Sequence, residues 1–202
     1  MKLTLNTVAH YLPEKYAKFA EDTYRYKDQP ILSFPFSVED LPADTHYISF
    51  SFIDHDAVPV CGFSWIHWLV ADVKTTGTTI HIPENFSLNL SDGIQGTNSF
   101  ASVFVGETDP KLTQHYVGPT PPDKDHHYTL TVYASKEKLN LTPGFFYNDM
   151  RNSLANNILA KTSIEILAKV NPLLQKINVQ HLVMFISTVV IMSEFVLSSN
   201  SG

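Results

Sequence analysis

The sequence predicts a mostly β domain that ends in a helix, on three observations. Tyr47 to Ile53 and Tyr128 to Tyr133 alternate polar and apolar side chains, and Ile66 to Val73 is nearly all apolar with an aromatic, so all three read as strands. Gly77, Pro83, Asp92-Gly93, Gly96, Asp109-Pro110 and the run Pro119 to Pro122 punctuate the chain at intervals too short for long helices. Met150, Leu154, Ile158, Leu159, Ile164, Leu167 and Ala168 then recur near helical spacing, which predicts a helix from Tyr147 to Val170 with Asn148 or Asp149 as its N-cap.

Ahead of the first strand, residues 12–27 are rich in Lys, Glu, Tyr and Ala and predict a short helix. Ile31 to Asp44, broken by Pro35 and Pro42, reads as extended. Asn171-Pro172 should end the last helix. These boundaries give a domain over 1–170 and an extension over 171–202. The extension carries a mainly apolar stretch, Leu182 to Leu197, interrupted by Ser187, Thr188, Ser193 and Glu194. A membrane span needs ~20 mainly apolar residues and a Glu inside one is costly, so a terminal core element, a dimer contact or a foreign extension is favoured over insertion.

The chain of 202 residues is of single-domain size and its apolar fraction of 44% is that of a globular protein. Its 14 Lys and Arg against 20 Asp and Glu give a formal charge of -6, without a basic run, which excludes nucleic acid as the main partner. A lone Cys61 excludes an internal disulfide and a cysteine metal cluster. Met1 to Ala20 lacks the apolar stretch of a secretory signal, so a cytoplasmic location is expected.

Two segments hold the candidate site: Asp54-His55-Asp56 with Trp65-Ile66-His67-Trp68, and Gly118 to Pro122 with His126-His127-Tyr128. Each residue has an ordinary explanation. Asp before a Pro forms turns, a His in an apolar strand is most often a satisfied core residue, and a His pair on a loop is unremarkable. Their coincidence is what suggests a pocket able to hydrogen-bond a phosphate-sized anion and sense protonation. Asp54 and Asp56, two apart at a strand end, are expected on one face.

The close His spacings of zinc sites are absent, so no metal is expected. A Gly-x-Ser-x-Gly elbow is missing, and Ser64 and Ser99 have no pattern placing them beside a base, so no catalytic residue is nominated. Walker and dinucleotide glycine motifs are also missing, Gly93-x-x-Gly96 being too weak, and no cofactor is expected.

Asp54-His55-Asp56-Ala57-Val58-Pro59 resembles the Asp-Pro-Asp-Ala-Pro signature of the phosphatidylethanolamine-binding proteins. Trp65 to Trp68 resembles their Trp/His strand, and Gly118 to Tyr128 their Gly-Pro-x-Pro-Pro…His-Arg-Tyr segment, in the same order and spacing. Gln95-Gly96, Asn98-Ser99-Phe100 and an expected helix over Leu154 to Ala160 are similar to the bacterial, Raf kinase inhibitor-like branch. The resemblance covers residues 1–169. It implies a large central antiparallel sheet flanked by a smaller sheet and short helices, with a small cavity at one edge. Asp54, His67, His126 and Tyr128 would bind the ligand there, with Asp56, Pro59, Trp65, Gly118, Pro119 and Pro121 shaping the pocket. The family site takes phosphate, acetate or a phospholipid head group, and carries a cis peptide at the position of Pro59. Val58 is an insertion against the signature, His55 replaces its Pro, and His127 stands where Arg is usual, which would make binding more dependent on pH.

The expected function is therefore non-catalytic binding of a small anionic or phosphorylated ligand, with a protein partner or a homodimer layered on it. The rivals are an enzyme acting on a small phosphoester through His67 or His126, and a lipid-surface protein that uses the apolar stretch in 171–202.

Overall fold

The computed structural model describes residues 1–170. In chain order its strands are β1 (Lys2–Leu5), β2 (Arg25–Tyr26), β3 (Gln29–Pro30), β4 (Phe36–Glu39), β5 (Tyr47–Asp54), β6 (Trp65–Lys74), β7 (Ile80–Ile82), β8 (Ile94–Gln95), β9 (His126–Ser135) and β10 (Ile158–Ala168). The helices are α1 (Val58–Cys61), α2 (Pro110–Thr113) and α3 (Tyr147–Leu154). A five-stranded antiparallel sheet runs in the order β10-β9-β5-β6-β8, and a three-stranded sheet, β1-β4-β7, packs on one of its faces. The fold is thus the one expected, a large central sheet with a smaller one and short helices.

The central strand β5 is covered on both sides, which is why its serines as well as its aromatics are buried. Ile48, Phe50 and Phe52 join Phe36, Val38 and Ile82 of the small sheet in the main core, whereas Leu69 and Ala71 of β6 meet Leu139, Phe145, Met150 and Leu154 on the other face. Phe34, fully buried, stands at the middle of the main core. Phe52, Tyr116 and Trp68 pack edge-on to it at 5.1, 5.7 and 6.2 Å between ring centres.

Three expectations need correction. Residues 12–27 form two single 3-10 turns, Glu14–Tyr16 and Asp22–Tyr24, and the short β2 instead of a helix. Their backbone is committed elsewhere: the Leu12 amide donates to the Leu167 carbonyl at 2.8 Å and the Lys18 amide to the Pro119 carbonyl at 2.9 Å. The helix expected over 147–170 ends at Leu154, so Leu154 to Ala160 is not helical beyond that residue, and β10 follows. Thr162, Ile164 and Ile166 are β-branched, and from Ala160 onward even-numbered side chains are the more buried, a period of two that apolar residues on both faces had disguised as helical. The N-cap of α3 is Phe146, and Asp149 sits at the third helical position, accepting the Phe146 amide at 3.1 Å. The extended reading of residues 31–44 agrees with β4. The predicted segment Leu182 to Leu197 lies outside the described residues, and no helix among them is long and apolar enough to cross a membrane.

Phe34→Ala should cost about 3–5 kcal/mol, because five aromatic rings would border the void. Urea unfolding measures this, and a loss below ~1 kcal/mol would show that this core can collapse around the gap.

Candidate functional site

Register builds the site. Asp54, the last residue of β5, lies opposite Trp65 at the start of β6 and Tyr128 near the start of β9, so neighbouring strands deliver an acid, an indole and a phenol to one sheet end. They open on a cavity of about 180 Å³. His67 and His126 complete its polar lining, and Ala57, Val60 and Cys61 of the α1 turn form one wall while Thr120, Pro121 and Pro122 form another. This volume suits a phosphate or a small head group and falls below the ~300 Å³ at which drug-sized ligands begin to fit.

Asp54 is buried and uses both oxygens. One accepts the Ala57 amide at 3.0 Å, fixing the turn after β5; the other lies 2.7 Å from His126 Nδ1. His126 Nε2 lies 2.7 Å from Asp123 Oδ1, so each nitrogen of this buried ring faces a carboxylate. Burial pushes the imidazole pKa down, but the hydrogen bonds and charges of Asp54 and then Asp123 together outweigh it, and the pKa is raised above 6.5. Held as an imidazolium, the ring donates from both nitrogens. Asp123 is half exposed, unlike Asp54.

His67 is the opposite case. Burial dominates and lowers its pKa, opposed by the Val117 carbonyl and Asp54. The neutral ring donates from Nδ1 to the Val117 carbonyl at 2.7 Å, which leaves Nε2 as a hydrogen-bond acceptor. Burial, then the neighbouring Asp54 charge, pushes the Tyr128 phenol far above its ordinary pKa, so it keeps its proton and can donate. One cavity therefore offers a cationic donor, a neutral donor and a neutral acceptor.

Of the expected pocket residues, Asp54, His67, His126, Tyr128, Trp65 and Pro121 line the cavity, and the others act from behind. Asp56 does not share a face with Asp54, because β5 has ended and the two-residue period no longer applies. It turns outward to accept the His127 amide at 2.9 Å, and that bond lowers its pKa. His127, 3.2 Å from the same carboxylate and with its side chain exposed, is outside the cavity. Pro59 sits in the first turn of α1, and the described residues contain no cis peptide bond, against the expectation from the family. Gly118 donates to the Pro30 carbonyl at 2.8 Å and is packed so closely that a Cβ would strike the Tyr16 carbonyl. The Pro119 carbonyl accepts the Lys18 amide, and the buried Lys18 ammonium donates to the Pro121 carbonyl at 3.2 Å, its pKa lowered by burial.

The sequence reading passed over Asp123, whose only signal is its place three residues before His126, and the α1 wall, which depends on tertiary placement. It also gave Ser64 no base, whereas His55 Nδ1 lies 2.9 Å from the Ser64 hydroxyl. That pair sits in an exposed turn and neither residue lines the cavity. Among the described residues no group of three or more His, Cys, Asp or Glu is arranged to hold a metal ion.

Fold and site together define an antiparallel β protein with a small polar cavity at one sheet end. The family model for phosphatidylethanolamine-binding protein matches residues 7–169, and the chain belongs to that family. It is similar to YxkA of Bacillus subtilis, with 50% identity over 161 residues that span 79% of this chain and 95% of that protein. Among solved structures it resembles YbcL of E. coli, with a TM-score of 0.65, 19% identity and coverage of 84% of this chain and 98% of that one. The Chlamydia trachomatis homologue CT736 gives a TM-score of 0.58 and 22% identity, covering 80% of this chain and 89% of that one.

The two histidines give stability opposite pH dependences. His126 is charged preferentially when folded, so its contribution is full below ~6.5 and is lost as pH rises through its raised pKa; His67 contributes above ~6.5 and loses its share as pH falls. The melting temperature should fall on the alkaline side, and His126→Asn should flatten that limb. An alkaline limb unchanged in the variant would show that His126 is not the group responsible.

Proposed function

We propose that this protein is a non-catalytic binder of a small phosphorylated or carboxylated anion, held at His126 Nε2 and the Tyr128 hydroxyl. The observation that carries this reading is the Asp123 carboxylate, 2.7 Å from His126 Nε2 and half exposed. It marks where an anionic oxygen binds, and an incoming anion takes its place there. Asp54 stays buried as the countercharge, and Asp54 and His67 Nε2 can accept from a ligand ammonium. The lone Cys61 supports a cytoplasmic setting, and the likeness to the Raf kinase inhibitor-like branch supports a regulatory role exerted through a protein partner.

Calorimetric titration of phosphate and phosphorylethanolamine tests this. Binding should weaken as pH rises through the raised His126 pKa and vanish in His126→Ala, while Asp123→Asn, which removes the competing carboxylate, should tighten it several-fold. Asp54 is the larger of the carboxylate influences on His126, and it remains in the Asn variant. Absence of binding in both the wild type and Asp123→Asn would end this reading.

A second reading, attachment to a lipid surface by way of a head group, is favoured by the cavity mouth. Trp65 stacks on Phe63 at 5.8 Å, Phe63 on Phe104 at 6.1 Å, and Phe104 and Val103 are 83% and 90% exposed. Val58 and Val60 of α1 are also exposed. Such an apolar rim around a polar cavity suits the membrane interface. Phe104→Asp should abolish sedimentation with phosphatidylethanolamine vesicles and leave phosphate titration unchanged; wild-type protein that stays in the supernatant would rule this second reading out.

A further inference from the structure

Between His67 and Lys74 the strand β6 carries one polar side chain, Asp72. The register of β5 on β6 slips there: Ile48 faces Val73 and Phe50 faces Val70, so Ala71 and Asp72 together stand opposite Ser49 as a bulge. Asp72 takes a φ of 63° and leaves the strand's alternation, yet it is only 7% exposed. Its Oδ1 accepts the Leu139 amide at 2.8 Å, and its other oxygen has no hydrogen-bond partner among the described residues. An Asn would accept the same amide without placing a carboxylate in the interior, so the Leu139 contact does not account for the acid. Asp72 lines a second cavity, of about 380 Å³, with Ser91, Asp92, Ile94, Lys138 and Asn140. This cavity shares no residue with the first and lies toward the other end of β6, seven residues and ~23 Å along the strand from Trp65. Its volume is that of a site for a small metabolite.

Three charged side chains border the cavity, and none of them is ion-paired among the described residues. Both carboxylates are held by backbone amides, Asp72 by Leu139 and Asp92 Oδ2 by Lys74 at 2.7 Å. Lys138 Nζ stands 5.7 Å from the centre of the Tyr47 ring. The opposite charges therefore face one space without closing on each other. Burial raises the Asp72 pKa, the Leu139 amide and the Lys138 charge oppose the rise, and Asp92 adds to it, so a cation bound between the two acids would be answered by both. We propose that this cavity binds a free amino acid with a cationic side chain, of the lysine class, with its two ammonium groups at Asp72 and Asp92 and its carboxylate at Lys138. Two carboxylates and one ammonium complement two cationic groups and one anionic group. A simple amine would leave Lys138 unanswered, and a divalent metal ion would meet its like charge. Ser91 and Asn140 add neutral hydrogen-bonding groups, and Ile94 and Leu141 offer apolar surface to the methylene chain.

Calorimetric titration of L-lysine into the full chain tests this. L-lysine should bind, and cadaverine, which lacks the carboxylate, and L-norleucine, which lacks the side-chain ammonium, should each bind at least about tenfold more weakly. Asp72→Asn keeps an oxygen for the Leu139 amide and should weaken L-lysine at least about tenfold, with the fold unchanged by circular dichroism. Lys138→Met alters an exposed side chain and should weaken L-lysine by a similar factor while leaving cadaverine unchanged, a split that damage to the fold would not produce. No heat of binding by ~10 mM L-lysine, equal affinity for L-norleucine, or indifference to Lys138→Met would each overturn the proposal. Tighter binding of calcium ion than of L-lysine would overturn it as well, by assigning the cavity to an inorganic cation.

Discussion

The contact between Asp54 and His126 organises the functional end of the molecule. It joins the last residue of β5 to the first of β9, and through its second oxygen Asp54 also fixes the turn that becomes α1. A buried carboxylate is tolerated there because a charged ring and a backbone amide answer it. Removing the ring would leave that charge uncompensated among Phe52, Tyr128 and His67, all buried. The walls, the lining and the strand register at this end are therefore conditions of one another.

The charge balance follows from the same contact. Two carboxylates bracket one imidazolium, so without an added ligand the polar lining is not electropositive. An anion that displaced the Asp123 carboxylate would exchange one hydrogen-bonded negative charge for another, keeping the environment of His126 nearly constant. His67 cannot assist as a cation, because its burial keeps it neutral. The division of labour between the two rings rests on what each Nδ1 faces, a carboxylate for one and a peptide carbonyl for the other.

Much of the sheet was legible in the sequence because β5, β6 and β9 are long and bounded by turn formers. The residues that line the cavity were legible by likeness to a family motif more than by their own chemistry. What escaped had physical causes. The strand β10 has an apolar residue such as Leu159 or Leu167 on its polar face, which blurs a period of two into one of three to four. Asp56 was placed in the cavity because the strand was assumed to continue past Asp54. Asp123 was missed because a polar residue in a Pro-rich turn gives no sign that its carboxylate will meet a ring three residues on.

The anchoring of the Pro-rich wall has a consequence for how the chain matures. The Tyr116 hydroxyl donates to the Tyr16 carbonyl at a separation of 100 residues, Lys18 reaches the Pro121 carbonyl across 103, and Leu12 waits for Leu167 in the last described strand. During vectorial synthesis the first twenty residues emerge long before anything they bind, and the cavity cannot close until nearly the whole domain has left the ribosome. Such distant closures make assembly slow, so a nascent chain presents the apolar face of β5 and β6 unprotected for much of its synthesis. The domain's exposure to misassembly is thus set by the same long-range ties that give its cavity a rigid wall.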